Sequence, residues 1–332
     1  MSIVGDRRVL IVGCGDIGSR HLQSLASLSA VGQIEIVDSR PEGLQLGRKR
    51  LQEITDGTSA TAVRWLSSLD DASGDGDLCI VATQAERRPQ LVRQIADTLG
   101  YSSFILEKLV SQSVQDMAEL CQYSAEKGLS IWVNCKARAY RFHQQAKRRL
   151  DPEDQVIFNV VGGNDGLATG GVQDADLFTF YDDARGIKSL GSQIDQVLHP
   201  SKRGDNIFDL SGTLHGSTEK GSVFTLSHAR DSGSWGHISI ATRQYRCIVD
   251  HLHRTAFESD EKSGWVWRET PFDGPILISE MTREFAADIF EFGRCALPNI
   301  EESLVSHRFI LRELQPHFSK LLGRNVEQCP VT

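Results

Sequence analysis

Three glycines, a set of strand-end carboxylates and one lysine are the residues of this chain whose types and spacing point to chemistry. Gly13, Gly15 and Gly18 stand at G-x-G-x-x-G spacing directly after the apolar run Val9-Leu10-Ile11-Val12. Gly13 suits a tight turn, Gly15 lets a pyrophosphate approach the backbone, and Gly18 lets a helix pack close to the strand. Asp16 and Ile17 lie within that turn, where the N–H groups that open a helix face a phosphate. Asp38 closes a second strand-like run, Gln33 to Val37, twenty residues after Gly18. A dinucleotide fold needs a carboxylate there to accept the adenosine ribose hydroxyls. That carboxylate repels a 2′-phosphate and so favours NAD, while Arg40 two residues later offers NADP a partner.

The elements that must position these residues alternate strand and helix. A helix opens at Pro41 and stops at an Asp56-Gly57-Thr58 cluster; strands follow at Thr61–Leu66, Leu78–Thr83, Phe104–Lys108 and Leu129–Asn134, with helices between them. This order implies a doubly wound parallel sheet, in which ligands bind beyond the carboxyl ends of the strands. Those ends carry Gly13, Asp38, Thr83, the pair Glu107 and Lys108, and Asn134. Two charges directly after a buried strand are better placed for a ligand than for solubility. After Leu150 the pattern changes to alternating strands (Gln155–Val161, Ser222–His228, His237–Thr242, Arg246–Leu252, Trp265–Arg268), and two helices close the chain. The expected organisation is α/β: an NAD(P)-binding Rossmann domain at 1–134, then an α+β domain at 135–332 with a mostly antiparallel, open-faced sheet.

Composition narrows the function classes. A chain of 332 residues with 40% hydrophobic and 24% charged residues has the make-up of a globular protein large enough for two cores. A formal net charge of −8 argues against a general nucleic-acid or membrane-surface binder. No apolar run approaches the roughly 20 residues of a membrane helix, and no secretory leader opens the sequence, so a cytoplasmic protein is expected. The seven cysteines are scattered and odd in number, with no C-x-x-C, which argues against a disulfide framework or a zinc site; no metal is expected.

The turn Gly13-Cys14-Gly15-Asp16-Ile17-Gly18-Ser19-Arg20-His21, the pair Glu107-Lys108, and Gly166-Leu167-Ala168-Thr169 followed by Val172-Gln173-Asp174-Ala175-Asp176 resemble the Gfo/Idh/MocA oxidoreductases. That resemblance implies a Rossmann domain with an open-faced sheet domain, hydride transfer between NAD(P) and a secondary hydroxyl of a sugar or sugar derivative, and a homo-oligomer, dimer or tetramer. It also implies that Lys108 is the acid/base or polarising group, with Glu107 beside the cofactor. The family's usual Glu-Lys-Pro is Glu107-Lys108-Leu109 here, and the histidine usually three residues before an aspartate is Gln173, before Asp176. Glutamine hydrogen-bonds but exchanges no proton near neutrality, so proton transfer passes to Lys108 or Asp176, with Gln173 as a neutral partner. Arg138, Lys202 and Arg203 are candidates for an anionic group on the substrate. Two other readings keep the fold: a redox-silent sugar or dinucleotide sensor, and an epimerase or glycosidase-like enzyme that recycles its NAD.

Overall fold

The computed structural model describes residues 5–54, 61–163, 166–233 and 236–332; the helix-ending cluster expected at 56–58 lies outside them. The chain divides into two compact units, residues 1–111 with 116–134 and 275–300, and residues 112–115 with 135–274 and 301–332.

In the first unit β1 (Arg7–Val12), β2 (Val31–Val37), β3 (Ala62–Leu66), β4 (Leu78–Val81), β5 (Ser103–Leu106) and β6 (Ser130–Val133) alternate with α1 (Gly18–Ala26), α2 (Pro41–Gln52), α3 (Arg88–Leu99) and α4 (Val114–Lys127). All pairings are parallel and the order is β3-β2-β1-β4-β5-β6. This is the Rossmann order, with its switch point between β1 and β4. The four residues of β4 and the last four of β1 are buried, as strands covered on both faces must be. The sequence placed a single boundary at 134/135, but residues 275–300 return to this unit. Their helix α7 (Ile278–Phe292) turns Met281, Phe285 and Ile289 inward and packs on α1, where the Arg283 amide donates to Ser24 Oγ at 2.9 Å. An amphipathic stripe reports that a helix is half-buried, not which sheet it covers.

The second unit contains α5 (Arg141–Lys147), β7 (Ile157–Gly162), α6 (Gly171–Asp182), β8 (Lys188–Ile194), the two-residue pair β9 (His199–Pro200) and β10 (Phe208–Asp209), β11 (Gly212–Ser217), β12 (Val223–His228), β13 (His237–Ala241), β14 (Tyr245–Asp250), β15 (Thr255–Asp260), β16 (Arg268–Pro271) and most of α8 (Ile300–Leu322). Its eight-stranded sheet runs β16-β15-β14-β13-β7-β12-β11-β8. Only β7 and β12 pair in parallel. One face carries Phe158, Val160, Phe224, Leu226, Ile240 and Val249 inward; Phe178 of α6 stacks on Phe224 at 5.0 Å, and Phe309 of α8 meets the same ring edge-on at 5.8 Å. The other face exposes Ile157, Val161, Val223, Ile248 and Phe257. β8 and β11 escaped the sequence reading because glycines, polar residues and, in β8, exposure of all but Ile194 erase the alternation.

Candidate functional site

The glycines of the first turn do what their spacing requires. Gly13 has φ +90°, and a Cβ there would lie 2.9 Å from the Ala82 carbonyl carbon. A Cβ on Gly18 would lie 1.8 Å from the Gly13 oxygen, so the start of α1 can rest on the turn only with glycine. Gly15 faces open space apart from Arg40 Nη2 at 3.6 Å from such a Cβ, which leaves the backbone approachable at the helix N-terminus. Ile17 is the N-cap of α1, and Arg50 holds the turn's rim by donating to the Asp16 carbonyl and, at 3.1 Å, to Asp16 Oδ1.

Asp38 is nearly buried at the end of β2. Its Oδ2 accepts the Cys14 amide of the turn at 2.8 Å and its Oδ1 the Arg40 amide at 2.9 Å; the exposed Arg40 guanidinium lies against both oxygens at 3.3 Å. The carboxylate thus couples the turn to the second strand. Gly43 was missed by the motif: a Cβ there would meet Asp38 Oδ2 at 2.4 Å. Burial pushes the Cys14 thiol up to about 12, which leaves it protonated and inert. Open backbone, a helix N-terminus and a strand-end carboxylate fit the pyrophosphate and ribose of a dinucleotide.

Two strands from β1, the carboxyl end of β5 is held from several sides. Glu107 Oε1 accepts Asn134 Nδ2 at 2.5 Å and lies 3.0 Å from His21 Nε2. The Thr282 hydroxyl donates to the Ile278 carbonyl at 2.9 Å, so its oxygen accepts from His21 Nδ1 at 2.8 Å. Burial alone would push Glu107 up, but His21, Asn134 and Arg88 together hold it below the usual carboxylate value. Glu107, expected beside the cofactor, is thus turned into the protein. Lys108 is half-buried, whereas Leu106, Leu109 and Val110 are fully buried around it. The Lys108–Leu109 peptide bond is cis. Thr83, after β4, places its carbonyl on Arg88.

In the second unit the structure pairs two of the expected residues with each other. Asp176 has no exposed surface, and its two oxygens accept Arg138 Nε and Nη2 at 2.7 Å each; Arg138 Nη1 also reaches Glu302 at 3.2 Å. Burial, opposed by Arg138, pushes Asp176 up to about 6. The bidentate pair occupies both carboxylate oxygens of Asp176 and two of the guanidinium nitrogens of Arg138. Gln173 is half-buried in the first turn of α6. Lys202 is exposed; Arg203 donates to the Thr332 carbonyl at 2.7 Å. Polar pairs that the sequence left unassigned are His228 with Asp174 at 3.4 Å and a buried chain in which His143 meets Tyr181 Oη at 2.7 Å and His251 Nε2 at 2.6 Å. His228 was legible as the third inward position of β12, after Phe224 and Leu226. Among the described residues no three His, Cys, Asp or Glu side chains are grouped to hold a metal, and no helix is long and apolar enough to cross a membrane.

Residues 7–135 match an oxidoreductase family with an NAD-binding Rossmann fold, Gfo/Idh/MocA. No curated protein matches the chain in sequence. Solved structures share its fold at low identity. UDP-N-acetylglucosamine 3-dehydrogenase GnnA from Acidithiobacillus ferrooxidans is 14% identical with a TM-score of 0.73, over 92% of this chain and 96% of that one. An oxidoreductase from Agrobacterium radiobacter in complex with NAD+, L-tartaric acid and magnesium is 14% identical with a TM-score of 0.72, over 92% and 94%. The WlbA dehydrogenase from Bordetella pertussis, in complex with NADH and UDP-GlcNAcA, is 17% identical with a TM-score of 0.64, over 90% and 92%.

Proposed function

We propose that this chain, whose residues 7–135 are the NAD-binding Rossmann fold of the Gfo/Idh/MocA oxidoreductases, oxidises or reduces a secondary hydroxyl or ketone of a sugar or nucleotide-linked sugar, with Lys108 as its proton-transfer group. The observation that carries the reading is Lys108 itself: a half-buried lysine raised from an otherwise buried turn at the carboxyl end of β5, on the sheet edge where such folds bind ligands. Bound at the glycine turn, NAD supplies the hydride acceptor or donor. In oxidation the neutral Lys108 amine takes the hydroxyl proton as the C–H bond gives up its hydride; in reduction the ammonium returns a proton to the carbonyl oxygen. Gln173 serves as a neutral hydrogen-bond partner for a neighbouring hydroxyl, and Lys202 meets an anionic group. Asp38 directs the choice towards NAD. The sugar-nucleotide names of the two dehydrogenases support that substrate class. Ile157, Val161, Val223, Ile248 and Phe257 on the open sheet face support association with a second copy of the chain.

The test is a fluorescence titration with NADH and NADPH, followed by turnover with NAD and UDP-N-acetylglucosamine or its uronic acid. NADH binding with sugar-dependent NAD reduction that disappears in Lys108→Ala is the expected outcome, and absence of any dinucleotide binding overturns the reading. A redox-silent sensor has one observation in its favour, Asp176 locked on Arg138 with Gln173 three residues before it. It predicts tight NADH binding with no turnover. An NAD-recycling enzyme predicts product without net NADH.

A further inference from the structure

We propose that Arg88 is a positioning residue that holds Lys108 in its working orientation by gripping the main chain on both sides of it. Arg88 Nη1 donates to the Glu107 carbonyl at 2.7 Å and also to the Leu109 carbonyl, while Nη2 donates to the Thr83 carbonyl. One guanidinium thereby ties the ends of β4 and β5 together and brackets the single residue between its two β5 contacts. The side chain is 2% exposed. Its own helix does not explain it: Arg88 opens α3, where a cation opposes the helix dipole. Removing a guanidinium from water at such a place needs compensating acceptors, and the carbonyls flanking Lys108 supply them.

The grip has a second anchor on the same turn. The Glu107 side chain is fixed by Asn134 and His21, and the Glu107 amide donates to the Val81 carbonyl at 3.1 Å. Leu109 is fully buried. Backbone and neighbours on either side of Lys108 are therefore held, and the planar fork is what spans three carbonyls; an ammonium is a point donor on a flexible stem. Arg88→Lys keeps the charge and loses the span.

This inference rests on Lys108 as the proton-transfer group, and the experiment separates the two. Lysines of the protein and of its Arg88→Lys, Arg88→Met and Lys108→Arg variants are reductively 13C-dimethylated. The Lys108 methyl resonance is identified by its loss in Lys108→Arg and followed over pH with saturating NADH, alongside NADH affinity and thermal unfolding. In Arg88→Lys the Lys108 resonance and its titration move towards those of exposed lysines while the other lysine signals stay, and NADH affinity changes less than about threefold, since Arg88 does not touch the glycine turn. With NAD and UDP-N-acetylglucosamine, kcat falls about 10²-fold with KM changed less than threefold, the scale on which a misplaced catalytic group costs rate. An unmoved Lys108 resonance overturns the proposal. So does a change of all lysine signals together with NADH affinity, which marks a general structural role. Should Arg88→Met fail to fold, Arg88→Lys decides. Should Lys108→Ala leave turnover intact while Arg88→Lys moves the resonance, the function reading falls and the positioning stands.

Discussion

Glu107 and Asp176 are both buried carboxylates held by a basic side chain, one in each unit, and they behave oppositely. Glu107 is held below its usual value because His21, Asn134 and Arg88 outweigh its burial; Asp176 is pushed up to about 6 because burial outweighs Arg138. The Glu107 network lies next to the half-buried Lys108 at a strand end, whereas the Asp176 pair continues through Arg138 to Glu302, whose side chain is about half exposed. A buried ion pair is thus not by itself a sign of function. The two differ in what lies next to them, a lysine at a strand end in one and an exposed glutamate in the other.

The largest effect that sharpens this contrast is at Lys108. Lys108→Ala should lower turnover about 10²- to 10⁴-fold, the usual share of a general acid/base, with NADH affinity and the unfolding midpoint unchanged; a loss of NADH binding would show that the lysine holds cofactor instead. The Asp176–Arg138 pair should fail differently. Arg138→Met strands Asp176 without a partner and should cost about 3–5 kcal/mol in urea unfolding, while the double change Arg138→Met with Asp176→Leu recovers most of it. A single variant as stable as the parent would remove the structural role given to the pair here.

How much of this was readable in the sequence follows the same division. In the first unit each functional position is fixed by a local rule: the glycine spacing, the carboxylate after β2, and charges following a buried strand. Gly13, Asp38 and Lys108 could therefore be nominated as candidates without coordinates. His21, Arg88 and Thr282 were not, because their partners lie 86, 19 and 21, and 261 residues away, and no periodicity encodes such a meeting. In the second unit Asp176 and Arg138 were nominated separately, and their pairing with each other across 38 residues was invisible in sequence. The sheet itself was half legible. β7, β12 and β13 alternate cleanly, while β8 and β11 take their place by pairing with neighbours rather than by their own pattern.

Unit two also carries a pH dependence that the first unit's network does not share in kind. Burial pushes His143 far below its ordinary value of 6.5 and His251 to about 4, with Lys136 adding to the latter and Asp174 and Asp250 opposing it. A histidine with a depressed folded value binds its proton later than the unfolded chain does. Its contribution is present above about 6.5 and is lost as pH falls towards 4. Between pH 7.5 and 5 that amounts to roughly 2 kcal/mol for His251. Asp176 acts in the opposite sense below about 6, because its folded value is raised and protonation favours the fold, and it returns about 1 kcal/mol over the same interval. Urea unfolding at the two pH values should therefore show a net loss on acidification, smaller in His251→Asn; an equal loss in both would mean that the imidazole pair does not carry it.

The smallest expected effect separates two duties of Asp38. The carboxylate accepts the Cys14 amide of the glycine turn at 2.8 Å and also lies against Arg40, so charge and hydrogen bonding act at one residue. Asp38→Asn keeps one oxygen to accept the Cys14 amide, sets its NH2 against the Arg40 amide that Oδ1 now accepts, and removes the charge that repels a 2′-phosphate. Arg40 is then released from its carboxylate partner. NADPH affinity should rise relative to NADH by about tenfold, equivalent to about 1.4 kcal/mol, with a modest fall in the unfolding midpoint from the Arg40 amide left without its acceptor. Adding Arg40→Gln should reverse most of that gain, since the guanidinium is the group left to meet the phosphate. A fall in affinity for both cofactors together, with the ratio unchanged, would place the role of Asp38 in holding the turn through Cys14 and not in choosing between the dinucleotides.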